Sequence, residues 1–167
     1  MKVRGRVWIF GDDINTDVIA PGQYLKLTSQ ELAAHVMEGI DPSFASKVQP
    51  GDIIIAGKNF GCGSSRESAP DALKHAGIGA IVCKFSARIF YRNAINLGLP
   101  VLEYDGEFPV EEGDMVEIEL ESGTVTNETQ GVTVQAEAFP EHIITILQKG
   151  GLVPYLEDTF RNQSTNR

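Results

Sequence analysis

Cysteine is nearly absent from this chain: its 167 residues hold two, Cys62 and Cys83, at a spacing that is neither a CxxC pair nor a disulfide framework. Two thiols are also too few for the three or four ligands of an iron–sulfur cluster or a structural zinc. The three histidines, His35, His75 and His142, are scattered, and none pairs with another at metal-ligand spacing. Positive charge is scarce as well. With 14 Lys and Arg against 23 Asp and Glu, the net charge is −9, which argues against nucleic acid or an anionic membrane as a whole-surface partner. No run of about 18 apolar residues occurs, and the apolar stretch of the opening MKVRGRVWIFGDD is too short for a signal peptide. The expectation is a cytoplasmic protein.

What is present is ordinary for a soluble globular chain: 42% hydrophobic and 22% charged residues, 17 Gly and 8 Pro. The length suits one domain, 1–167, with a polar and frayed tail from about 160 to 167. Residues 2–10 alternate and are rich in β-formers, so they predict a strand. A long connection, 11–24, follows, then a helix over 29–40 with Ser29 as N-cap and Leu32, Val36 and Ile40 at helical spacing. Residues 52–57 and 80–85 are continuous apolar runs, the mark of strands covered on both faces. They alternate with a helix ending at Gly77 and a helix over 86–98 capped by Ser86, and a short strand over 100–104 closes the series. That order implies a parallel sheet with right-handed crossovers. Beyond Glu111 the period becomes two, with turns at Ser122-Gly123 and Gln130-Gly131, predicting a smaller antiparallel meander. A last helix runs from about Pro140 to Lys149. The fold class is α/β.

The stretch GKNFGCGSSRES, 57–68, joins the strand 52–57 to the next helix. Gly61 and Gly63 free the backbone to turn sharply, and such a junction points N–H groups at whatever sits beyond the strand's carboxyl end. Ser64 or Ser65 is a candidate N-cap, and Ser64-x-x-Glu67 fits a capping box. Arg66 adds a planar fork suited to carboxylate or phosphate. The stretch is neither a Walker loop nor GxGxxG, and it is no nucleophile elbow. A serine acting as base or nucleophile also needs activation, and no histidine is near in sequence. The result is half of an anion site.

Two further loops offer partners. Asp12-Asp13-Ile14-Asn15-Thr16-Asp17 is ordinarily a turn-forming composition, and it lacks the Gly and Glu of a calcium-binding EF-hand. It nevertheless follows a strand, as the serine loop does, so both loops are expected at one edge of the sheet, with carboxylates near Arg66. Tyr24-Leu25-Lys26-Leu27-Thr28 reads as a hydrophobic staple with a solvated lysine, or as a cation with apolar contacts for a small anion. Arg88 and Arg92, one helical turn apart, read as surface charges.

GDDINTD, APGQYL, KNFGCGSSRE and KFSARIFYRNAINLGLPVL, in this order over residues 5–104, resemble the small subunits of the 3-isopropylmalate dehydratases, of the aconitase superfamily. The resemblance implies a three-layer β/β/α swivelling domain and a separate large subunit that carries a [4Fe-4S] cluster on its own cysteines. It implies isomerisation of 2- and 3-isopropylmalate by dehydration and rehydration, in leucine biosynthesis, with the iron as Lewis acid for the leaving hydroxyl. By resemblance Ser64 takes the proton from carbon as an alkoxide, and Ser65 and Arg66 hold a substrate carboxylate. Asp17, with Thr16 beside it, pairs with a histidine of the large subunit. The loop carrying Lys26 and Leu27 is where relatives differ in substrate: those acting on tricarboxylates place an arginine at or near Lys26. Lys26 would pair an extra carboxylate less well than a guanidinium does, and Leu27 would cover an isopropyl group. Two alternatives stand beside this reading. One is a small subunit of homoaconitase or of another substituted-malate hydro-lyase; the other is a carboxylate-binding module without catalysis.

Overall fold

The computed structural model describes residues 1–165. Seven strands form one sheet in the order β4-β3-β2-β1-β5-β6-β7: β1 (Lys2–Ile9), β2 (Ile53–Ile55), β3 (Ala80–Cys83), β4 (Val101–Glu103), β5 (Met115–Glu119), β6 (Thr124–Asn127) and β7 (Val132–Gln135). The helices in chain order are α1 (Thr16–Ile19), α2 (Ser29–Leu32), α3 (Phe44–Lys47), α4 (Ser68–Ala76), α5 (Arg88–Asn96), α6 (Glu141–Gln148) and α7 (Leu152–Thr165).

β1 serves two partners. Its first half pairs antiparallel with β5, Val3 opposite Ile118, and its second half pairs parallel with β2, Val7 opposite Ile53. Gly5 stands at the changeover, where a Cβ would lie 2.1 Å from the Gly51 carbonyl oxygen, so no side chain fits. The parallel strands are apolar on both faces, and the two faces go to different layers. Ile54, Ile81 and Val101 share a core with Leu73 of α4 and Phe90 and Ala94 of α5. Ile53, Ala80, Val82 and Leu102 share a second core with Val116, Ile118 and Val125 of the antiparallel strands and Ile144 and Leu147 of α6. The sheet therefore folds over on itself, giving antiparallel strands, parallel strands and helices in three layers, as the β/β/α expectation holds.

Five local expectations are corrected. The helix expected over 29–40 stops at Leu32, continues as a 3-10 turn at Ala33–His35 and ends with Val36 extended. Met37 is left-handed (φ 60°) and gives its N–H to the Ile19 carbonyl instead of the next helical turn. Its cap is Thr28, in a capping box with Glu31, and not Ser29. Neither Ser64 nor Ser65 caps α4, which begins at Ser68 after Glu67, without a side-chain cap. Ser86 does not cap α5 either; its hydroxyl and N–H both bind Glu103, and Ala87 is the capping position. The tail from 160 is helical to Thr165, as part of α7, and residues 166–167 lie outside the described residues.

Candidate active site

Three loops leave the carboxyl ends of β1, β2 and β3 and continue side by side in sheet order. Asn15 bridges Cys62 and Phe60 bridges Ser86, both in parallel sense. Backbone bonds lace them: Asp13 N–H to Lys58 O (2.8 Å), Gly61 N–H to Ile14 O (2.7 Å), Thr16 N–H to Cys62 O (2.8 Å) and Ala87 N–H to Phe60 O (2.8 Å). Asp12 accepts from Lys58 N–H and Asp13 from the Asn59 amide. These two acids thus close turns between the loops. This pairing also explains the late start of α4, because residues 60–62 are held as strand-like backbone.

Gly61 (φ 77°) lies against the Phe90 ring, where a Cβ would come within 2.2 Å, so α5 packs directly under the serine loop. The first turn of α5 faces the same space. Thr16, Gly61, Ser64, Ser65, Arg66, Arg88 and Asn93 line a cavity of about 220 Å³. Ser64 and Ser65 are exposed, and their hydroxyls have no hydrogen-bond partner among the described residues. Thr16 is buried and donates its hydroxyl to the Ser64 carbonyl at 2.8 Å, which holds the loop rather than offering a free group.

Asn15 caps α1 by accepting from Val18 N–H, and this aims Asp17 at Arg66. One terminal nitrogen of Arg66 donates to Asp17 Oδ1 and to the Ala20 carbonyl, each at 3.0 Å. Asp17 also accepts from Gly22 N–H at 3.1 Å. The Arg66 guanidinium, helped by that N–H, holds the Asp17 carboxyl below the usual carboxylate range. The other terminal nitrogen has no hydrogen bond among the described residues, and Arg66 is one of the side chains that line the cavity. Ser64, Ser65, Arg66, Thr16 and Asp17 are therefore brought together. Lys26 and Leu27 are not: they sit in an exposed turn outside the cavity lining, reached through Gly22 next to the Arg66–Asp17 pair.

Sequence reasoning passed over Asn93 and treated Arg88 as surface charge, yet both line the cavity. The signal was available, since α5 starts just past the carboxyl end of a parallel strand, where ligands of such sheets bind. A larger cavity of about 580 Å³ lies alongside, between α5, β4 and the segment 137–140, and Arg88 borders both.

The described residues do not fit an iron–sulfur cluster. Cys83 is buried, with its thiol pushed up to about 12 by burial and the nearby Glu103 carboxylate, and Cys62 is half-buried in a separate loop. Among the described residues no three His, Cys, Asp or Glu side chains gather as metal ligands. No helix among them is long and apolar enough to cross a membrane.

Fold and cavity together define an α/β domain that gathers Ser64, Ser65 and Arg66 in a loop cluster at the carboxyl ends of its parallel strands. The profile of the aconitase C-terminal domain family matches residues 12–107, and the chain belongs to that family. The 3-isopropylmalate dehydratase small subunit 2 of Archaeoglobus fulgidus is 55% identical over 159 residues, covering 94% of this chain and 96% of its own. The methanogen homoaconitase small subunit of Methanothermobacter thermautotrophicus is 56% identical over 159 residues, covering 95% and 92%. The crystal structure of 3-isopropylmalate dehydratase from Methanocaldococcus jannaschii superposes with a TM-score of 0.91 at 46% identity, over 100% of both chains.

Proposed function

We propose that this chain is the small subunit of a 3-isopropylmalate dehydratase, a hydro-lyase that interconverts 2- and 3-isopropylmalate in leucine biosynthesis. It works as one swivelling domain with a large subunit that carries the [4Fe-4S] cluster. The observation that carries the reading is the cavity where Ser64, Ser65 and Arg66 meet.

In this reading the other terminal nitrogen of Arg66 and the Ser65 hydroxyl hold a substrate carboxylate. Ser64 takes the proton from the adjacent carbon, and the C–H electron pair becomes the alkene as hydroxide leaves the neighbouring carbon toward the partner subunit. Rehydration then returns the hydroxide and the proton to the alkene with the two carbons exchanged, which gives the other isomer. An alkoxide at Ser64 needs positive potential. Arg66, Arg88 and the uncapped N-terminal turn of α5 supply it, rather than the helix that follows the serine loop. Both serines are open to water in the isolated chain, so the large subunit has to cover them before these dipoles act at full strength. Asp17 orients Arg66 and is exposed enough to receive a partner's histidine.

In the reconstituted enzyme, Ser64→Ala is expected to lose turnover by about 10²–10³-fold or more while the chain folds normally. Turnover within twofold of wild type contradicts the mechanism. A homoaconitase reading is kept by one observation: the relative named for that activity is as similar as the isopropylmalate one. Lys26→Val separates the two, because it weakens a tricarboxylate reaction and spares an isopropylmalate one.

A further inference from the structure

The segment carrying Lys26 and Leu27 is pinned at both ends. On one side Ala20 O and Gly22 N–H are tied to the Arg66–Asp17 pair. On the other side Thr28 and Glu31 close a reciprocal capping box. Between them a 3-10 turn at Gly22–Tyr24 is followed by Leu25 N–H to Gly22 O and Leu27 N–H to Tyr24 O, a tight turn that leaves Leu25, Lys26 and Leu27 exposed. A turn of this length has few backbone bonds of its own, so what supports its middle decides its order.

Tyr24 gives part of that support by packing against the core, and His35 gives the rest: its ring stacks on Tyr24 with centroids 3.8 Å apart and planes 15° from parallel. His35 Nδ1 is buried without a hydrogen bond, and the Glu38 carboxylate lies 3.5 Å away without bonding geometry. His35 stands where the helix begun at Ser29 breaks off, on the 3-10 turn Ala33–His35. We propose that His35 is a positioning residue for the substrate-discriminating loop: through Tyr24 it holds Leu25-Lys26-Leu27 in one projecting conformation before the large subunit binds. This rests on the dehydratase reading for its functional consequence but not for its structural one.

The structural half is read by limited trypsin digestion of the full purified chain, following cleavage after Lys26 by mass spectrometry against cleavage after Lys74 and Lys84 as internal references. Loss of one aromatic partner is expected to raise Lys26 cleavage about three- to tenfold in His35→Ala and in Tyr24→Leu, with the reference sites unchanged. His35→Phe, which keeps the stack, should restore the slow rate. Equal Lys26 cleavage in wild type and His35→Ala, or a His35→Phe rate as fast as that of His35→Ala, overturns the proposal. In the reconstituted enzyme His35→Ala should raise KM for 3-isopropylmalate by a similar factor with kcat changed less than about twofold. A fall in kcat with KM unmoved overturns the functional half. If wild-type complex turns over no substituted malate, the dehydratase reading fails, and the digestion result still stands or falls by itself.

Discussion

Arg66 has five donors, and among the described residues only one terminal nitrogen is engaged, on Asp17 and the Ala20 carbonyl. That division lets one side chain both fix the 17–22 turn and face a ligand. A lysine has no second edge to offer, so Arg66→Lys is expected to keep the fold and lose about 10²-fold in turnover. The same pair makes a pH prediction. Because the folded Asp17 pKa is depressed, the contact is fully present above the ordinary carboxylate value and is lost as pH falls through the lowered one. An NMR titration of Asp17 in Arg66→Ala should move up toward the ordinary value of 3.8; an unmoved midpoint would remove Arg66 as the main cause. Cys83 gives a third test at this scale. With its thiol near 12, only roughly 10⁻⁴ of it is thiolate at pH 8, so maleimide should label Cys62 well before it. Residue chemistry was the part most open to sequence reasoning, since Gly-Ser-Ser-Arg names its own donors. What the sequence hid was engagement: that Thr16 is occupied on the Ser64 carbonyl, and that Asp12 and Asp13 close turns.

Strands were legible, as were the end of α4 at Gly77 and both ends of α6, while the start of α4 and the end of α2 were not, for a physical reason. β2 and β3 lie buried between two layers, so each reads as an unbroken apolar run whatever its neighbours do. Helix starts depend on what else claims the backbone. Residues 60–62 are paired to the loops on either side, which shifts α4 to Ser68 and leaves the Ser64-x-x-Glu67 pattern without a helix to cap. Likewise Ile19 takes the N–H of Met37 and ends the 29–40 pattern early. α5 is the element that joins core to site: Phe90 seals the underside of Gly61, and Asn93 and Arg88 wall the cavity. Phe90→Ala is expected to cost about 3–5 kcal/mol in denaturant unfolding and to loosen the serine loop with it. Thr28→Ala should cost only about 1 kcal/mol, because it removes one cap at an exposed helix start. A larger loss at Thr28 than at Phe90 would contradict this assignment of support.

As a whole the molecule is a scaffold for one end of a sheet. The antiparallel strands and α6 cover one face of the parallel strands and α4 and α5 cover the other, and the loops after β1, β2 and β3 meet at a single edge. Ser64, Ser65 and Arg66 lie together at that edge. Under the proposed function this chain is half of an enzyme whose chemistry appears on assembly. The most direct test is anaerobic reconstitution with a cluster-bearing large subunit, followed by absorbance of the alkene formed from 3-isopropylmalate and, separately, from homocitrate. The account predicts alkene from 3-isopropylmalate, abolished by Ser64→Ala. A stable, cluster-loaded complex that dehydrates neither substrate, or one whose turnover survives Ser64→Ala, would contradict it.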